Sequence, residues 1–146
     1  MIPQTSGRVF WVAPSAQYTV EGRTYAAADN NDGLSPERAL LTLAQAVTLV
    51  SANVGDVVVL LPGTHTQATV TALSVAGVTY TGIPGGAPLV TVRSSSSGAR
   101  NKTIITAAAA TNALNITAAD VEVAFMHFTA ISGQRSVSLS NLGDRA

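Results

Sequence analysis

The stretch NVGDVVVLLPGTH, residues 53–65, decides how the rest of the chain is interpreted. Its centre is an apolar run without alternation, residues 57–61, which stops at Pro62 and Gly63. A short continuous apolar run is typical of a strand that is buried on both faces. Proline followed by glycine marks a turn. The stretch therefore predicts a short buried strand with a sharp corner directly after it.

An amphipathic helix is predicted immediately before this strand. Ser35 can cap the free N–H groups of a first helical turn, and Pro36 fits the first helical position. The apolar side chains that recur at helical spacing are Leu40, Leu43, Ala44, Val47 and Val50. The pattern predicts one helix over residues 35–52 with a single apolar face.

Short β-rich runs make up most of the remaining sequence. Clusters of Gly, Pro, Asn and Ser separate these runs, as is typical of strands joined by turns. The predicted strands are residues 9–12, 57–61, 69–73, 78–83, 89–92, 103–106, 113–116, 121–128 and 136–139. Residues 13–34 show no regular pattern and are predicted to be irregular.

An internal repeat connects several of these strands. Residues 72–83, ALSVAGVTYTGI, can be aligned with residues 113–126, ALNITAADVEVAFM. Val57 and Val78 lie 21 residues apart, whereas Val78 and Val121 lie 43 apart. One turn and two turns of about 21 or 22 residues would account for these spacings, and such a period is typical of a solenoid. We therefore expect these three valines to stack in register.

The resulting prediction is an all-β solenoid, a short right-handed parallel β-helix with an N-terminal capping α-helix. Residues 1–34 would form an N-terminal arm and loop, and residues 35–146 the capping helix followed by three to four coils of the same domain. The helix would cover the first coil, because solenoid ends expose apolar core and unpaired backbone. The last coil shows no second cap, so we expect another chain, or more of the same polypeptide, to cover it.

Composition excludes several classes of function. Charged residues make up 11% of the chain, against about 25% in ordinary globular domains. The formal net charge is zero and no basic stripe is present, which argues against a nucleic-acid partner. The chain has no cysteine, so disulfides and thiolate metal sites are excluded. Neither a signal peptide nor an apolar run of about 20 residues is present, so no membrane partner is expected.

Three motifs carry a resemblance to a known family. They are DGLSPE at residues 32–37, TLAQAV at residues 42–47 and GDVVVLLPGTHT at residues 55–66. In this order they resemble the start of right-handed parallel β-helix proteins of the pectin-lyase-like superfamily. The resemblance covers roughly residues 28–86 and continues more loosely to 128. That superfamily includes polysaccharide lyases, hydrolases, and bacteriophage tailspike and virion surface proteins, and the phage proteins are typically trimers.

The resemblance implies two classes of function. The first is a structural bacteriophage protein on the virion surface, either a capsid decoration protein or the base of a tail or head spike. Such a protein would form a homotrimer with sister chains, contact major capsid or tail proteins, and need no cofactor. The alternative is a tailspike that degrades polysaccharide as a lyase or glycoside hydrolase, or a carbohydrate-binding module, with host surface polysaccharide as ligand.

Two groups of polar residues are candidates for chemistry. Asp120 and Glu122 would share a face if they lay on one strand, within the ~5–9 Å that glycosidases use; otherwise they are solvated residues at a strand start. Asp29, Asn31 and Asp32 could offer oxygen ligands to Ca²⁺, although the EF-hand pattern fails. A turn that leads into the helix explains the same three residues.

Aromatic residues and histidines complete the candidates. Phe10, Trp11 and Tyr18 precede the helix, and aromatic residues in an irregular arm often anchor interfaces. They could equally pack beneath the helix. His65 and His127 have no Cys or carboxylate close in sequence that would complete a metal site, so edge or core positions are expected for both.

Overall fold

The computed structural model describes residues 7–83, 103–108, 111–129 and 137–139. Within these residues the structure is mainly β-strand with one α-helix, as the sequence predicts. The strands are β1 Val9–Val12, β2 Gln17–Val20, β3 Arg23–Ala26, β4 Val57–Leu60, β5 Gly63–Gln67, β6 Thr71–Leu73, β7 Thr79–Gly82, β8 Thr103–Ala107, β9 Leu114–Ile116, β10 Glu122–Ala124, β11 Met126–Thr129 and β12 Val137–Leu139. A 3₁₀ turn, Pro36–Arg38, precedes the helix α1, Leu43–Leu49. The predicted strand at residues 89–92 lies outside the described residues.

Three parallel sheets organise these strands. Their strand orders are β1-β4-β7-β10, β5-β8-β11 and β6-β9-β12, and we call them the first, second and third sheet. From β4 onward the chain visits the first, second and third sheets in that order, three times. We call each set of three consecutive strands a circuit: β4 to β6, β7 to β9, and β10 to β12. The third circuit therefore forms an outer edge of every parallel sheet.

The observed register corrects the predicted repeat. Val57 pairs with Thr79 rather than with Val78, so the first spacing is 22 residues. Thr79 pairs directly with Glu122, so the 43-residue spacing is one circuit and not two. The second circuit is longer because the chain between β7 and β8 runs from residue 83 to 102. A constant period was assumed, whereas the segments between paired strands differ in length in this chain.

The side chains that point inward from the three sheets form one hydrophobic cluster. Phe10, Val58 and Tyr80 occupy equivalent positions on the first sheet and are buried. Ile105 and Leu114 contribute from the second and third sheets and are buried as well. β-Branched and aromatic residues suit such strands because they fill a pleated surface well. Each large side chain stabilises the fold by about 1.5–3 kcal/mol on full burial.

The predicted helix over residues 35–52 is wrong at its N-terminal end. Residues 36–38 form the 3₁₀ turn, and Ser35 makes no side-chain capping bond. The true N-cap is Thr42, whose side chain accepts a hydrogen bond from the Gln45 N–H. The helix ends at Leu49, three residues before the predicted end. The capping helix is thus only seven residues long.

Tertiary pairing explains the late start of the helix. Leu40 is extended and forms a parallel bridge with Val12 of β1. Its N–H donates to the carbonyl oxygen of Trp11 at 2.8 Å, and its own carbonyl accepts from the Ala13 N–H at 2.9 Å. A residue that pairs with a strand in this way cannot also lie within a helix. Local helical spacing was therefore overridden by a long-range contact.

The N-terminal segment is more regular than predicted. β1 belongs to the first sheet, so residues 1–34 are not simply an arm and a loop. β2 and β3 form an antiparallel hairpin, and the turn residues Glu21 and Gly22 both have positive φ, 48° and 80°. Such values are typical of the two-residue turns that join hairpin strands. The hairpin packs against Leu61, at the corner that follows β4.

Two further strand predictions need correction. β5 begins at Gly63, where only a corner was expected, because its inward residues are polar and hide the strand pattern. The single strand predicted over residues 121–128 is two strands, β10 and β11. They are separated by Phe125, which has φ of 52°.

Candidate interaction site

The three candidate calcium ligands have internal partners. Asp29 accepts hydrogen bonds from the Leu41 and Thr42 N–H groups at 3.1 and 2.8 Å, and from the Thr42 hydroxyl at 2.9 Å. The Asn31 amide donates to the Ala39 carbonyl at 2.9 Å. These contacts hold the segment before α1 and agree with the interpretation of these residues as a turn.

Asp32, the third candidate ligand, serves different partners. One carboxylate oxygen accepts from the Leu34 N–H at 3.1 Å, and the other pairs with the Arg38 guanidinium at 3.1 Å. Within the described ranges, no three His, Cys, Asp or Glu side chains are grouped so that they could hold a metal ion.

The two candidate catalytic carboxylates do not lie on one strand. Asp120 is in the turn before β10 and has φ of 54°, whereas Glu122 is the first residue of β10. The expectation that they share a face depended on strand alternation, which does not apply across a left-handed turn residue. The condition for a shared face is therefore not met, and the pair lies at a strand start, as in the alternative interpretation.

The aromatic candidates are largely internal. Phe10 is buried in the main cluster, and the Arg8 guanidinium lies 4.9 Å from the centre of its ring. Tyr18 is buried beneath the segment before α1, where its hydroxyl accepts from the Ala39 N–H at 3.0 Å. Trp11 is half-buried and packs against the hydrophobic cluster that contains Tyr18. The arrangement agrees with packing beneath the helix rather than with interface anchors.

The free edge of β1 is covered within the chain. The Trp11 N–H donates to the Gly33 carbonyl at 2.7 Å, and the bridge to Leu40 satisfies the neighbouring groups. The inner face beneath this edge is filled by Leu40, Leu43 and Ala46, all buried. In the described part of the chain, the outer edge of β1 is therefore paired at residues 11–13, and the core beneath it is covered.

Asp56 ties the covered end together. It is 1% exposed and accepts from the Arg8 and Ser51 N–H groups at 2.8 and 2.7 Å. The Arg8 guanidinium pairs with it at 3.2 Å and also donates to the Leu49 carbonyl at 2.9 Å. Burial acts to raise the pKa of Asp56, but the two N–H donors and the guanidinium together lower it below its usual value. The carboxylate thus links β1, the end of α1 and the start of β4.

The first-circuit edge of the second sheet uses polar side chains instead of a cap. The Nε2 atom of His65 lies 2.7 Å from the Leu61 carbonyl, and the Gln67 amide donates to the His65 carbonyl at 3.5 Å. The equivalent positions on β8 are Ile105 and Ala107, and Ile105 has strand neighbours on both sides, His65 and Phe128. The polar pair therefore satisfies carbonyls that lack a pairing strand. Burial lowers the pKa of His65 to about 4.

A cleft of about 200 Å³ lies beside His65 and Gln67. Pro14, Leu41 and Thr42 form part of its opposite wall. The side-chain amide oxygen (Oε1) of Gln67 accepts from the Thr71 hydroxyl at 2.8 Å in this cleft. The Gln67 amide is thus engaged by Thr71 and by the His65 carbonyl.

The third circuit differs from the covered end. Its strands β10, β11 and β12 are the last in their sheets, so each leaves one side of its backbone without a pairing strand among the described residues. Its inward side chains are partly exposed, although the equivalent positions in the second circuit are buried. These partly exposed side chains are Val123, Met126, Phe128 and Val137. We call these strands and side chains the third-circuit edge.

Phe125 stands beside this edge at the corner between β10 and β11. It is 66% exposed, more than any other large hydrophobic side chain in the described ranges. Its φ of 52° is unusual for a bulky residue. Its carbonyl oxygen lies against Gly82, where a side-chain methyl group would collide with it. Sequence reasoning missed this residue, because it was placed within a continuous strand.

His127 lies on β11, the outermost described strand of the second sheet, and its side chain is exposed. It therefore has the predicted edge position and not a core position.

In the described part of the chain, no helix has the length and apolar character needed to cross a membrane. Comparison with protein-family models, with curated proteins and with solved structures finds no match to this chain. The functional argument therefore depends on the geometry of the two ends of the parallel sheets.

Proposed function

We propose that the chain is a short right-handed parallel β-helix that serves as a structural subunit of a larger assembly. Three parallel sheets visited in a constant order support the winding, because each strand then pairs with its equivalent in the next circuit. Crossovers between parallel strands of one sheet are right-handed in about 98% of cases, which supports the hand.

The observation that carries the functional proposal is the difference between the two ends. At one end β1 is paired, and Leu40, Leu43 and Ala46 fill the inner face. At the other end three strand edges and four partly exposed apolar side chains lie together. Unpaired strand edges with apolar side chains recruit further polypeptide. A subunit whose first sheet is covered at β1 and open at β10 is suited to assembly through its third-circuit edge.

The setting that we propose is the surface of a bacteriophage virion, as a capsid decoration protein or the base of a spike. The support is the resemblance of residues 32–37, 42–47 and 55–66 to pectin-lyase-like proteins, whose phage members are typically homotrimers. The net charge of zero removes long-range repulsion between sister chains. Capsid or tail proteins would be the other partners.

The enzymatic alternative has less support in the geometry. Asp120 and Glu122, which were its candidate acid and base, lie in a turn and at a strand start rather than side by side on one strand. General acid–base cleavage needs two carboxyl groups at a defined separation across a substrate.

Two measurements on the purified chain test the proposal together. Light scattering after size exclusion should give three times the chain mass, and incubation with bacterial surface polysaccharides should leave their length unchanged. A monomer that shortens a polysaccharide would overturn the structural role in favour of a depolymerase. A trimer that shortens polysaccharide would instead identify a tailspike enzyme.

A further inference from the structure

We propose that Phe125 is the anchor through which this chain associates with further copies of itself. The inference rests on the proposed assembly function and assigns its contact residue. It is carried by the exposure of Phe125, by its backbone conformation and by its position next to the third-circuit edge.

Phe125 is unfavourable in an isolated chain for two independent reasons. A ring that is 66% exposed keeps a large apolar surface in water. The left-handed backbone at φ 52° adds strain, because the Cβ of a bulky residue crowds its own carbonyl in that region. Backbone strain of this kind is concentrated at ligand clamps and other functional positions. Both features are explained if the ring is buried in an assembly.

The surrounding chain is fitted to this conformation. The Phe125 carbonyl occupies the space above Gly82, where a Cβ would also meet Thr103. Gly82, which has no side chain, therefore leaves the space that the corner at Phe125 needs. The corner leaves the Phe125 ring exposed between β10 and β11, two strands of the third-circuit edge.

Charge and area favour a second copy as the occupant. The chain carries eight basic and eight acidic residues, so copies do not repel one another at long range. Among the residues of β10, β11 and β12, Glu122 is the single Asp, Glu, Lys or Arg, and it is the first residue of β10. The edge of β1 is covered and not available for pairing, so we expect the third-circuit edges of three copies to meet around a common axis, which closes the assembly.

The area available sets the expected strength of the contact. An aromatic side chain buries about 150–250 Å² in all, so the exposed part of Phe125 supplies roughly 100–150 Å². A stable interface needs about 800 Å² from each partner. Phe125 is therefore an anchor, and the partly exposed side chains of the third-circuit edge must supply much of the remainder. The assembly should accordingly depend on protein concentration.

Sedimentation of three variants over a concentration series tests the proposal. Phe125→Ala should raise the dissociation constant of the self-assembly by at least about tenfold, as expected for an aromatic anchor. Leu34→Ala is the matched control, because Leu34 is 54% exposed but follows Gly33 at the covered end. Its dissociation constant should equal that of the unmodified chain.

Phe125→Gly separates loss of assembly from loss of folding. Glycine accepts positive φ without strain, so the dissociated variant should melt at the same or a higher temperature than dissociated wild type. It should nevertheless assemble as weakly as Phe125→Ala. Circular dichroism at low concentration and sedimentation at high concentration provide the two readouts.

Each outcome has a defined meaning. An unmodified chain that assembles, with Phe125→Ala assembling equally well, overturns the role of Phe125 and leaves the proposed structural function standing. An unmodified chain that stays monomeric at every concentration overturns both self-association and the anchor. Equal weakening by Leu34→Ala and Phe125→Ala also contradicts the inference, because the effect would then be general apolar exposure.

Discussion

At the scale of single residues, buried polar groups show where the sheets end. His65 stands where the second circuit has Ile105, and its ring bonds the Leu61 carbonyl in the corner before β5. Tyr80 lies inside the same cluster, and its hydroxyl has no hydrogen-bond partner among the described residues. The His65 ring thus bonds a backbone carbonyl, whereas the Tyr80 hydroxyl is buried without a hydrogen-bond partner among the described residues.

His65 should make stability depend on pH below neutrality. Its pKa is lowered to about 4 by burial, against 6.5 in the unfolded chain, so the unfolded state binds the proton more readily. Stability should be complete above pH 6.5 and fall progressively toward pH 4, by up to about 3 kcal/mol. Urea titrations between pH 4 and 8 measure this, with His65→Gln as the control that lacks the titrating group. An equal slope in both proteins would contradict the assignment to His65.

Removal of the Tyr80 hydroxyl should stabilise the fold. Tyr80 is fully buried, and burial raises its pKa to about 12, so the neutral hydroxyl is present throughout the physiological range. An unsatisfied buried hydroxyl costs about 1–3 kcal/mol, and Tyr80→Phe should recover part of that. Tyr18→Phe is the matched control, because the Tyr18 hydroxyl accepts from the Ala39 N–H and its loss should destabilise. Chemical denaturation should move the two midpoints in opposite directions.

At the scale of elements, long-range strand pairing determines the structure at the places where the local sequence pattern gave a wrong prediction. The strands with apolar or β-branched residues, such as β4 and β8, were found from sequence because their side chains reveal burial directly. β5 was missed because its inward residues are His65 and Gln67. The helix was predicted to begin too early, because Leu40 fits the apolar spacing of a helix. In the structure Leu40 is instead an inward residue that pairs with β1.

The candidate site was only partly predictable for the same reason. The absence of a second cap after the last predicted strand suggested an uncovered end, and the described third circuit has free edges and partly exposed apolar side chains. Phe125 could not be singled out, since its apolar neighbours suggested one continuous strand. Its left-handed backbone depends on Gly82, which lies 43 residues earlier in the sequence. A contact of that range leaves no local signal.

The link between β1, α1 and β4 should depend on the Asp56 carboxylate. Asp56→Ala would leave the Arg8 and Ser51 N–H groups without their acceptor, so we expect a loss of about 2–4 kcal/mol. Arg8→Ala should cost less, because the Arg8 side chain is 48% exposed and exposed ion pairs contribute about 0–1 kcal/mol. Equilibrium unfolding of both variants measures the difference, and a larger loss for Arg8→Ala would contradict it.

The same carboxylate adds a second dependence on pH. The pKa of Asp56 is lowered in the folded chain, so its contribution is complete above its unfolded value of 3.8 and is lost as pH falls further. This range lies below that of His65, which allows the two groups to be distinguished in one acid titration.

At the scale of the whole molecule, the parallel sheets have two unlike ends. β1, the 3₁₀ turn and α1 close one end through backbone bonds and buried leucines. The third circuit presents three strand edges and Phe125 at the other. We propose that such a body joins another polypeptide through its third-circuit edge, which is the central claim of the structural role.

Hydrogen exchange at low and high protein concentration tests that claim most directly. The account predicts that those amides of residues 121–129 and 137–139 that are not bonded to β7, β8 or β9 exchange fast in the dilute chain and become protected as concentration rises. Amides of β1 and β4 should be protected equally at both concentrations, because their partners lie within the chain. Full protection of the third circuit in the dilute monomer, or protection that rises uniformly along the chain, would contradict the account.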